Sequence, residues 1–137
     1  MAKTIHALIV GINAYPDQPL FGCVNDALAV GKFFKELCDK TEKKTGDKTE
    51  KLFNWNPVYL LAPHKDDKAV TVAVADDPAV ANYKLPDRQV LIDQFMEHLC
   101  SDAVKPDDVC VFYYSGHGML ARAAPEFAHM EVGGMNQ

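Results

Sequence analysis

Apolar residues are distributed unevenly along this chain, and their spacing separates the elements. Ile5–Ile12 is a nearly continuous apolar run, broken only by His6 and Gly11. Such a run predicts a strand covered on both faces, as in a parallel sheet. "NAYPDQPLFG" follows with two prolines, Asn, Asp and Gly, and predicts a loop. In "CVNDALAVGKFFKELCDK", Val24, Ala27, Leu28, Gly31, Phe34, Leu37 and Cys38 fall at helical spacing, with Asn25 or Asp26 as the expected N-cap. Residues 41–51 are charged and apolar-free, which predicts a solvated helix end and a flexible loop.

"PVYLLA", Pro57–Ala62, is a second predicted strand. Residues 63–85 give an irregular excursion, because "AVTVAVA" alternates as a strand or short hairpin does. "PDRQVLIDQFMEHLCSDA" predicts a helix: Pro86 suits its first turn, Asp87 its N-terminal dipole end, and Leu91, Ile92, Phe95, Met96 and Leu99 form one stripe. "VCVFYY" is a third strand, and "ARAAPEFAHMEVGGMNQ" carries no clear period. Strands alternating with helices predict an α/β layered fold around a parallel sheet.

Composition narrows the function. The chain has 137 residues, 48% of them hydrophobic, which fits one domain with a core. A formal net charge of −5 argues against nucleic acid as the main partner. No apolar stretch is long enough to span a bilayer, and "MAKTIHALIVGI" reads as a strand rather than an export signal, so a cytoplasmic location is expected. Cys23, Cys38, Cys100 and Cys110 form no Cys-x-x-Cys pair, and the five histidines show no His-Glu-x-x-His spacing. Four free thiols, mostly buried, are expected, and no metal site. "VGINAYP" lacks the Gly-x-Gly-x-x-Gly pattern, so a nucleotide-binding domain is set aside.

In open parallel sheets ligands bind beyond the carboxyl ends of the strands. The loop carrying "FGCVNDA" and the loop carrying "SGHG" both lie there. His117 is able to act as general acid or base, or it merely caps a strand in a tight turn. Gly116 and Gly118 allow close backbone approach and positive φ, leaving the Gly118 amide free to donate to an oxyanion. Asp26 reads either as a carboxylate favoured at a helix N-terminus or as the floor of a pocket for a basic side chain.

"HALIVGINAYPDQPLFGCVNDALAVGKFF" followed by "DVCVFYYSGHG" resembles the caspase-like cysteine peptidases, with metacaspases and orthocaspases as the nearest likeness. The resemblance implies a caspase-like three-layer sandwich around a mainly parallel sheet. It makes His117 the histidine of a Cys-His dyad, and it maps Cys23, Asp26 and Ser115 onto the specificity pocket. An acidic residue there implies cleavage after Arg or Lys. Calcium activation, common in metacaspases, rests on residues mostly beyond those present here. Asp66, Asp67, Asp76 and Asp77 read as a solvated loop face.

The nucleophile is missing from this pattern. In caspases it lies roughly 50 residues after the histidine. Here 20 residues follow His117, and none is a cysteine. Cys110, in a strand, reads as a core residue, and Cys23 reads as pocket wall. The expectation is that residues 1–137 form the N-terminal part of a single peptidase domain whose remainder supplies the thiol. The alternative is a catalytically inactive caspase-like module that binds basic peptides or a partner protein.

Overall fold

The computed structural model describes residues 2–118. The reading of the tail from Ala121 onward lies outside them. A parallel sheet of order β4-β1-β5 forms the centre, from β1 (Lys3–Ile12), β4 (Phe53–Ala62) and β5 (Val109–Ser115). The three apolar runs are these strands. β1 is buried on both faces because it has a strand on each side and helices above and below.

The two faces sort by residue parity. Ala7 and Ile9 pack with Tyr59 and Leu61 under α1 (Cys23–Lys40), while Val111 and Tyr113 abut the same cluster. Leu8, Val10 and Leu60 form the opposite cluster with Val90, Leu91 and Leu99, contributed by α3 (Arg88–Gln94) and its continuation, a π-helical turn over Phe95–Leu99. Helices on both faces of a parallel sheet give the expected three layers. Gly11 sets how closely α1 lies. A Cβ there would sit 2.7 Å from the Cys23 carbonyl oxygen and 2.8 Å from the Ala27 Cβ.

Helix α1 begins at Cys23, earlier than an Asn25 or Asp26 cap would place it, and its N-cap residue Gly22 offers no side chain. The cap comes from outside the helix. Asn13, at the end of β1, accepts from the Cys23 and Val24 amides at 2.9 and 3.2 Å. Two of the four orphan donors of the helix are satisfied in this way. For α3, Asp87 is the N-cap, accepting from the Val90 amide at 2.9 Å, and Pro86 precedes it rather than opening the first turn.

Two segments differ from the sequence reading. Residues 41–51 form an antiparallel hairpin, β2 (Glu42–Thr45) and β3 (Lys48–Lys51), not a flexible loop. Its turn uses Gly46 at φ 64°, a conformation glycine adopts without penalty. The "AVTVAVA" stretch is helix α2 (Ala69–Asp76), followed by a 3-10 helix, Pro78–Asn82. Alternating valines mimic a strand, yet Val70, Ala73 and Val74 also share one helical face, and all three join the core cluster on the α1 side. Asp67 accepts from the Ala69 amide and caps the turn.

The aspartates of this region are not one solvated face. Asp77 is buried and accepts from Trp55 Nε1 at 2.9 Å and the Tyr59 hydroxyl at 3.1 Å. Burial first, then the Asp77 charge, holds the Tyr59 phenol well above its ordinary value. Asp76 pairs with Lys32 at 3.6 Å. With Asp67 bonded to the Ala69 amide at the start of α2, these three carboxylates serve separate structural ends. Among the described residues no cluster of three or more His, Cys, Asp or Glu is arranged to hold a metal ion, and no helix is long and apolar enough to cross a membrane.

Candidate active site

The chain leaves β1 toward one side of the sheet, to β4, and returns across β1 to reach β5. The carboxyl ends of β1 and β5 lie side by side, the place in an open parallel sheet where a ligand crevice is found. Residues 13–22 and residues 116–118 meet there.

The first of these loops is pinned from several directions. The Asn13 carbonyl accepts from the Tyr15 and Leu20 amides, both at 2.9 Å. His64 Nε2 donates to the Leu20 carbonyl at 2.7 Å, and Phe21 packs against the His64 ring. Gln18 holds a left-handed φ of 52°. This turns its carbonyl into the path of His117, whose Nε2 lies 2.6 Å from it.

That contact fixes the histidine's tautomer. A carbonyl oxygen only accepts, so Nε2 carries a proton, and in the neutral ring Nδ1 keeps its lone pair. His117 is exposed, and the Tyr15 ring packs on its imidazole with centroids 4.4 Å apart. The protein thus holds an oriented imidazole with a free basic nitrogen at the mouth of the crevice, backed by a carbonyl able to stabilise an imidazolium.

Of the roles expected of Gly116 and Gly118, positive φ is not adopted by either. A Cβ on Gly116 would lie 2.5 Å from the Tyr15 hydroxyl and 2.8 Å from that of Tyr114, so close approach is what demands glycine there. A Cβ on Gly118 would enter open space, and its exposed amide has no hydrogen-bond partner among the described residues.

Ser115 and Cys23 both adjoin Gly11. Ser115 is the register partner of Gly11 on β5 and, by strand parity, lies on the α1 face, where the Cys23 carbonyl abuts Gly11. Both are partly exposed. Asp26 stands one turn along α1 from Cys23, exposed, with no ion-pair partner among the described residues. The structure therefore brings Cys23, Asp26 and Ser115 to the same end of the sheet as His117 and Gly118.

No described cysteine contacts His117. Cys38 is buried, and burial pushes its thiol up. Cys100 and Cys110 are exposed, against the expectation of buried thiols and of Cys110 as core. Cys110 lies on the α3 face of edge strand β5, its Sγ 3.6 Å from the Leu99 carbonyl. Asn13, Tyr15, Gln18 and Tyr114 were not singled out from the sequence. Asn13 and Tyr15 follow directly on the first apolar run in "NAYP", which was their only sequence signal.

The caspase domain family matches residues 4–133. The chain belongs to that family. A probable protease of a Desulfuromonadales bacterium is 33% identical over 118 residues, which cover 85% of this chain and 12% of that protein. The chain thus spans about an eighth of the length of this curated relative. No solved structure matches at comparable significance.

Proposed function

We propose that this caspase domain contributes the histidine, an oxyanion donor and a basic-residue pocket to a cysteine endopeptidase that cleaves after Arg or Lys. The observation that carries the proposal is the Nε2–H bond from His117 to the Gln18 carbonyl, which leaves Nδ1 as a directed base. Nδ1 takes the thiol proton, and the resulting imidazolium, held on the carbonyl, passes it to the leaving amine. The Gly118 amide donates to the oxyanion, where one such donor is worth about 3 kcal/mol. Asp26, with Cys23 and Ser115 beside it, receives the cationic side chain, and a guanidinium meets a carboxylate through paired hydrogen bonds.

In this reading the thiol nucleophile comes from outside the described residues, because within them His117 bonds only to Tyr15, Gln18 and Tyr114 and to no cysteine. The same observation favours a second reading, a module that binds basic peptides without cleaving them. The discriminating experiment compares Arg and Gln at the cleaved position in the complete protein and in its Asp26→Ala variant. The ratio of kcat/KM for Arg over Gln falls roughly 10- to 100-fold on loss of a charged hydrogen-bonding partner. An unchanged ratio removes Asp26 from the pocket. Binding of Arg peptides with no cleavage by the complete protein selects the second reading.

A further inference from the structure

The backbone of His117 is held as deliberately as its ring. Its amide donates to the Tyr15 hydroxyl at 2.7 Å. Its carbonyl accepts from the Tyr114 hydroxyl at 2.9 Å. The two hydroxyls are themselves 3.3 Å apart. The proton directions follow without choice. A carbonyl accepts only, so Tyr114 spends its one proton on it, and Tyr15 must donate to the Tyr114 oxygen. The result is a closed circuit: His117 N–H to Tyr15, Tyr15 to Tyr114, Tyr114 back to the His117 C=O. Each bond polarises the next in the same sense.

We infer that Tyr15 and Tyr114 are the positioning residues of His117, their hydroxyls forming with its peptide groups a closed hydrogen-bond circuit that aims the imidazole. Neither hydroxyl contacts the reacting nitrogen, so both act through His117, and the assignment rests on the reading of His117 as the base. The circuit joins the loop after β1 to the end of β5, segments 99 residues apart for the Tyr15–Tyr114 pair. It operates alongside the Gln18 contact: the tyrosines fix the peptide, and Gln18 fixes the far nitrogen. Burial of the phenol raises Tyr114 to about 12, so it stays a donor at neutral pH. Gly116 belongs to the same device, since the two hydroxyls occupy the volume where its Cβ would be.

Phenylalanine removes each hydroxyl while keeping the ring, so Tyr15→Phe retains the packing against the imidazole. The first readout needs no activity: a long-range 1H–15N spectrum of the His117 imidazole in the complete protein. Wild type shows the Nε2–H tautomer. Tyr15→Phe and Tyr114→Phe shift both nitrogens toward a tautomer average, while Tyr113→Phe, whose side chain packs in the core cluster, does not.

The second readout is steady-state cleavage by the complete protein. Each variant lowers kcat roughly 10- to 100-fold, as a misaimed catalytic group does, with KM within about twofold. Because either change opens the circuit, the double variant is no worse than the more impaired single variant. Gly116→Ala reproduces both signatures. Wild-type spectra and kcat in both Phe variants overturn the assignment, as do multiplicative losses in the double variant. A Phe variant that unfolds also overturns it, by giving the hydroxyl a role in stability instead. Should His117→Ala leave cleavage intact, the catalytic reading falls, while the spectrum still decides whether the circuit exists.

Discussion

Replacing Asn13 by Ala tests how the end of β1 builds the site. The side chain is fully buried, and its Oδ1 serves the Cys23 and Val24 amides at 2.9 and 3.2 Å. Loss of an N-cap costs about 0.5–2 kcal/mol, and stranding a buried amide such as that of Val24 costs about 1–3 kcal/mol. One effect opposes these. Asn13 Nδ2 is buried with no partner among the described residues, and its removal returns on the order of 1 kcal/mol. The net expectation is a loss of about 2 kcal/mol. With a urea m-value of about 1–3 kcal/mol/M, the midpoint of the 137-residue chain falls by roughly 1 M with m unchanged. Amide exchange at Cys23 and Val24 accelerates beyond that of the rest of α1. An unchanged midpoint, or unchanged exchange at these two amides, refutes the capping role.

Other expectations follow from the same packing. Gly11→Ala drives a Cβ into the Cys23 carbonyl and Ala27, so it destabilises by about 1–3 kcal/mol and displaces the start of α1, read as a lower urea midpoint and altered Cys23 and Ser115 amide shifts. Asp108 accepts from the Thr4 and Lys105 amides and from His6 Nε2, each at 2.9 Å, and the backbone donors lead in holding its carboxyl down to about 2. Its folded pKa is depressed, so its contribution is complete above the unfolded value near 4 and is lost as pH falls toward about 2. Asp108→Asn flattens that limb of the stability profile measured by urea midpoints, whereas an unaltered limb assigns the acid sensitivity elsewhere. Asp39→Ala breaks ion pairs to Lys35 and Lys51 at the surface and costs under about 1 kcal/mol, with a larger loss in the melting curve contradicting that estimate.

The elements that read correctly from sequence are those in which local pattern and tertiary role agree. Ile5–Ile12 is apolar except at His6 and Gly11 because β1 has a strand on each side and helices on both faces. "AVTVAVA" is ambiguous because period 2 and a short helical face both accommodate its valines, and docking against α1 decides the matter. The start of α1 was misplaced because its cap lies ten residues upstream in Asn13, beyond any local rule. Residues 42–51 carry no apolar residue, so hairpin pairing there left no hydrophobic trace. Cys110 looked like core because it sits in an apolar strand, yet β5 is an edge strand of the described sheet. His117 stood out because glycines flank it. Its support did not, because Tyr15, Gln18 and Tyr114 become partners only when the two loops converge.

The central claim is that His117 works as the base of a thiol peptidase. The most direct test is cleavage of an Arg-containing reporter peptide by the complete protein and by its His117→Ala variant, with unaltered melting as the control for folding. The account predicts that the variant loses essentially all turnover, a fall of at least about 10²–10⁴ for a general acid–base residue, while still binding the peptide. Cleavage by the folded variant at the wild-type rate would contradict it.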